Sequence, residues 1–165
     1  MPAGNTFEAI ATQTLGSATA SVDFTSISGT YTDLVIVANA AVTTGTEDLQ
    51  LRFNSDTGSN YSATQLRGNG STASSTRVSD GTKISWMGYM ESVDGGFVSL
   101  IQVQNYSNTT TNKTVLSRGN LAAGWVTATV GLWRNTAAIT SITLIAGAST
   151  FKTGSTFSLY GIQSA

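Results

Sequence analysis

The run Leu34-Val-Ile-Val-Ala38, inside Tyr31 to Ala41, constrains the fold more than any other stretch. It is apolar throughout, and β-branched Val35, Ile36 and Val37 at its centre suit a pleated surface better than a helix. By the period of two, Leu34, Ile36, Ala38 and Ala40 share one face, while Val35 and Val37 make the opposite face apolar as well. The stretch is expected to be a central strand with other structure on both sides.

The rest of the chain can be read as strands arranged around it. Asp48 to Phe53 alternates cleanly, with Leu49, Leu51 and Phe53 inward and Asp48, Gln50 and Arg52 outward. Ala18 to Phe24, Tyr61 to Leu66, Thr114 to Ser117 and Thr156 to Ile162 are further strands. Ile139 to Ala146 is another, whose phase shift suggests a bulge. Residues 1–16 read as a loose arm or edge strand, and Gly68 to Gly81 as a long polar loop with almost nothing to bury. Thr82 to Glu91 puts Ile84, Trp86 and Met90 on one face and Tyr89 on the other. Asp94-Gly then joins it to Phe97–Tyr106 as the strongest hairpin signal. Ala123 to Arg134 would place Val126, Ala128, Val130 and Leu132 inward and Trp125 and Trp133 outward. About eight to nine short strands with frequent turns, and no sustained helical period, predict one all-β domain over 1–165, an antiparallel β-sandwich of jelly-roll type.

Composition removes whole classes of function. The chain has no Cys and no His, so disulfides, thiolate sites, imidazole catalysis and most zinc sites are excluded. Charged residues make up 10% of its 165 residues, against roughly 25% in ordinary soluble domains. Its polarity comes instead from 27 Thr and 21 Ser, so the exterior must be rich in hydroxyls. With a net charge of −1 it offers no basic footprint for a phosphate backbone, and nucleic acid is not an expected partner. No apolar stretch is long enough to span a bilayer, and the first ten residues lack a basic head followed by an apolar run. The expectation is a product made in the cytoplasm without a secretory signal, yet with a surface suited to life outside cells.

No catalytic constellation emerges. Glu47, Asp48, Asp56, Asp80, Glu91 and Asp94 fall at strand ends or in turns, where carboxylates commonly satisfy local backbone donors. Asn54 to Asn60 carries oxygen ligands at alternate positions, faintly like a calcium loop, but lacks the required Gly and terminal Glu. A nucleophilic Ser would have only Lys83, Lys113 or Lys152 as base, and no Ser-x-x-Lys spacing supports one. Neither a cofactor nor a metal is expected. Trp125 and Trp133, with Tyr89, are the candidate contact residues, because large aromatics on a solvent-side face serve protein interfaces or sugar stacking. Coverage of that face by the N-terminal arm or the Gly68–Gly81 loop is the competing reading.

Three strings carry a resemblance: Thr30-Tyr-Thr-Asp-Leu-Val-Ile-Val37, Leu51-Arg-Phe-Asn-Ser-Asp-Thr-Gly-Ser-Asn-Tyr-Ser62 and Ser155-Thr-Phe-Ser-Leu-Tyr-Gly-Ile162. Together with Thr6-Phe-Glu-Ala-Ile and Thr14-Leu, the chain resembles small virion structural proteins of tailed bacteriophages. The resemblance implies a β-sandwich, often a homotrimer, that is not an enzyme. Such a protein either decorates the capsid as cement over the major capsid protein or forms part of a tail fibre contacting host glycan. It carries over no site residue.

Overall fold

The computed structural model describes residues 6–93, 97–121 and 124–163. They form an antiparallel β-sandwich without helices: β1 (Phe7–Thr14), β2 (Ser21–Phe24), β3 (Asp33–Asn39), β4 (Thr46–Asp48), β5 (Gln50–Phe53), β6 (Tyr61–Gly68), β7 (Ala73–Gly81), β8 (Tyr89–Glu91), β9 (Val98–Gln104), β10 (Lys113–Leu121), β11 (Trp125–Trp133), β12 (Ile142–Ile145) and β13 (Thr156–Ile162). Eight strands make one sheet in the order β1-β13-β3-β9-β10-β11-β6-β7. Two smaller sheets, β2-β12-β5 and β4-β8, supply the second layer.

The apolar run behaves as its pattern dictates. β3 lies inside the large sheet between β13 and β9, with Leu34, Ile36 and Ala38 fully buried. Against this face the small sheets pack Val22, Phe24, Leu51, Phe53, Ile142 and Leu144, so one core is shared by both layers. Apolar burial of this kind stabilises by about 25 cal/mol per Å2, and it concentrates between the layers. Where β11 crosses Ile84, only a glycine fits, because a Cβ on Gly131 would collide with that side chain. Exposed hydroxyls pair both across strands, as in Thr12 with Ser158 at 3.0 Å, and between connecting segments, as in Thr43 with Thr150 at 2.9 Å.

Several local expectations are corrected. Gly68–Gly81 is mostly strand: β6 and β7 form a hairpin whose turn is held by the Asn69 carboxamide accepting from the Ser71 and Thr72 amides. Its side chains are exposed because β7 is a sheet edge, which is why it reads as a loop. The pairing expected between Thr82–Glu91 and Phe97–Tyr106 does not form. β8 pairs with β4, whereas β9 pairs with β3 and β10, and the Asp94-Gly turn lies outside the described residues. Positive φ at Trp86 (64°) and Gly88 (143°) breaks the expected strand and turns Met87 into the core. The phase shift after Ile139 is a break, not a bulge. There Asn54 Oδ1 accepts from the amides of Thr140 and Ser141, standing in for a neighbouring strand.

Candidate functional site

β11 decides where the candidate residues point. Trp133 is 1% exposed, stacked on Tyr61 (centroids 6.2 Å) and tilted against Phe53 (5.5 Å). Its Nε1 donates to Asp56 Oδ2 at 2.7 Å. The outward placement of Trp133 is therefore corrected: it is core. Because β-strand faces alternate, Thr127 and Thr129 go inward with it, and Val126, Ala128 and Val130 go out. An inward Thr is tolerable because each hydroxyl finds a carbonyl, Thr129 donating to Trp86 O at 2.7 Å and Thr127 to Gly119 O at 3.3 Å.

The inversion leaves the outer face of the large sheet open and apolar. Register aligns Leu66, Ala128, Arg118, Leu100 and Val37 in one row across five strands. The next row contains Thr64, Val130, Leu116, Gln102, Val35 and Tyr160. Phe7, Leu66, Val98, Leu116, Val126 and Val130 are each between 42% and 66% exposed. At roughly 150–200 Å2 for a whole side chain of this size, they present on the order of 500 Å2 of bare apolar surface. The face is also hollowed. One depression of about 570 Å3 lies between β6, β7 and β11, and another of about 360 Å3 is lined by Phe7, Val35, Leu100, Leu116 and Ala128. Asp33, Arg77 and Arg118 are the only charged side chains that the paired registers place on it, with Arg134 bonded to Asp80 at 2.8 Å at the margin. Val35, on this same side, is nevertheless buried, as expected, while Val37 is only half-buried.

Trp125, at the other end of β11, lies on the inner side beyond the core and is half-buried. Tyr89 meets its ring edge-on at 5.7 Å, and the Arg67 guanidinium carbon lies 5.0 Å from its centroid. Tyr89 Oη donates to Gln65 Oε1 at 3.2 Å, and burial pushes its pKa up. The structure brings Trp125 and Tyr89 together and separates them from Trp133. Sequence reasoning missed Arg67 and Gln65, whose place beside Trp125 follows from the β6–β11 register, Thr127 opposite Arg67 and Thr129 opposite Gln65. Polar hollows of about 280 and 450 Å3 flank Trp125.

The carboxylates serve local structure. Asp56 takes the Trp133 indole, the Asn60 amide and the Gly58 N–H, and these bonds, the first foremost, hold its pKa below the usual range. The calcium-like Asn54–Asn60 segment thus uses its central carboxylate internally. Asp48 accepts from Trp86 N and Gln50 Nε2, while burial pushes its pKa up. Glu47 accepts from Ala148 N, and Asp94 lies outside the described residues. Of the three lysines, Lys113 is buried and donates to the carbonyls of Thr111 and Thr136.

No family model and no curated protein matches the chain. Among solved structures it is similar to exo-inulinase from Aspergillus awamori, at 14% identity and a TM-score of 0.31. That match covers 94% of this chain and 29% of the exo-inulinase chain, and at such distance it has no bearing on activity.

Proposed function

We propose that this chain is a structural subunit of a tailed-bacteriophage particle, a capsid decoration protein that acts by burial and not by chemistry. The observation that carries the reading is the open apolar face of the eight-stranded sheet. Bare apolar surface on the order of 500 Å2 falls in the roughly 300–600 Å2 range of the largest patch on a monomer, a patch that is often functional. With Leu100, Leu132 and Tyr160 beside it, the face approaches the roughly 800 Å2 per partner of a standard stable interface. With only Asp33, Arg77 and Arg118 on it, the face can receive a second copy of this chain without strong like-charge repulsion, in a homotrimer whose neighbouring copies use different parts of the face and that sits on the major capsid protein. The strings that resemble small virion proteins agree with this assignment.

Two measurements test it. Val130→Lys should convert the oligomer to monomer in light scattering while that monomer keeps the parent's β-sheet circular dichroism and a cooperative unfolding transition, as for an exposed strand position. A monomeric parent chain would remove the basis of the reading. Quantifying the protein on purified particles should find hundreds of copies over the shell; a few confined to the tail would replace it with the tail-fibre reading, a receptor-binding module for host glycan. The half-exposed Trp125 favours that second reading.

A further inference from the structure

Three features of the Trp125 end are left unused by assembly through the open face. First, among the described residues the buried donors Trp125 Nε1 and Gln65 Nε2 have no acceptor, and Gln65 is fully buried. A buried donor without a protein acceptor costs about 1–3 kcal/mol, so this end of β11 is less completely satisfied than the Trp133 end. Second, Arg67 is exposed, has no carboxylate partner among the described residues, and is held over the Trp125 ring with its Nε donating to Ser74 Oγ at 3.1 Å. Third, the 280 Å3 hollow on this side is lined by Arg67, Gly68, Asn69, Thr72, Ser74 and Trp125: one cation, one aromatic ring, neutral hydroxyl and amide groups, and no acid.

We infer that this cleft binds a ring of an acidic saccharide, with its carboxylate or sulfate on the Arg67 guanidinium and its ring against Trp125. An aromatic wall suits the C–H surface of a pyranose, and the side chains of Asn69, Thr72 and Ser74 suit its hydroxyls. A guanidinium without an acidic neighbour selects an anionic group, because a charge-assisted fork to two oxygens is about twice as strong as a neutral bond. The hollow is at the small end of ligand sites, sized for a terminal sugar and not for a long chain. Arg67 is exposed and is held by the Ser74 hydroxyl, the Tyr89 side chain and the Trp125 ring, with its charge at the mouth of the hollow. The inference does not depend on head or tail location: Trp125 and Arg67 alternate with the outward Val126 and Leu66 along their strands, and the cleft meets the 570 Å3 depression only along Arg67, Gly68 and Ser74.

The test is calorimetric titration of the full chain with sialyllactose (a carboxylate), a sulfated galactose disaccharide and neutral lactose. At least one acidic sugar should bind about tenfold more tightly than lactose, and which one does identifies the anion. Arg67→Gln should erase that preference, and Trp125→Ala should abolish binding while Trp125→Phe retains part of it. Val130→Lys should leave binding unchanged, which separates failure here from failure of the assembly reading. No binding of either acidic sugar, or binding that survives both Arg67→Gln and Trp125→Ala, would overturn the inference.

Discussion

The two ends of β11 carry the same residue and do opposite things with it. At the Trp133 end, the indole is sealed between Tyr61 and Phe53 and its N–H is paired with Asp56. At the Trp125 end, the ring is half-exposed, touched by one exposed cation and one phenol, and its N–H has no acceptor among the described residues. The difference lies in what the second layer covers. The β2-β12-β5 sheet brings Phe53 over Trp133, whereas at Trp125 the second layer contributes Tyr89 from three-residue β8. A satisfied, enclosed aromatic stabilises the fold; an unsatisfied, half-open one is available to a ligand.

The largest expected effect breaks the closed end. Trp133→Ala should lose about 3–5 kcal/mol in chemical denaturation, since it empties a filled aromatic site. A loss under about 1 kcal/mol would mean that Trp133 is not core. Asp56→Ala should follow at about 1–3 kcal/mol, because it orphans the buried indole N–H. Its pH signature sharpens the point. The folded carboxyl titrates below its unfolded value, so its contribution is present above the ordinary carboxylate range and is lost as pH falls below about 4. The acid-side drop in stability should be shallower in Asp56→Ala than in the parent; an unchanged slope would place the titration elsewhere. Trp125→Ala should be smaller than either, about 1 kcal/mol or less, because it forfeits one edge contact and one cation–π contact while removing an orphaned donor. A loss equal to that of Trp133→Ala would erase the contrast between the ends.

Much of the fold was legible because burial follows side-chain period. Leu34, Ile36 and Ala38, then Leu49, Leu51 and Phe53, are buried as their alternation requires, and Thr156–Ile162 closes the chain as a strand. β11 was misread because both its faces look usable: Val, Ala, Val and Leu on one side, Trp, Thr, Thr and Trp on the other. Hydropathy favours the first set, but the structure buries the second, where carbonyls of Trp86 and Gly119 wait for the threonines and Asp56 for Trp133. Those partners come from residues 8 to 77 positions away, and no local pattern announces them.

The sequence by itself determined an all-β chain without imidazole or thiol chemistry, a hydroxyl-rich exterior, and an apolar strand at the centre of a sheet. These follow from residue type and the two-residue period, which act locally. Only the tertiary structure decided which face of β11 is open, that the polar stretch after Gly68 is an edge strand, and that Arg67 and Gln65 stand beside Trp125. Each of those depends on which distant groups can satisfy a buried donor or fill a given volume, and that is settled only when the layers meet.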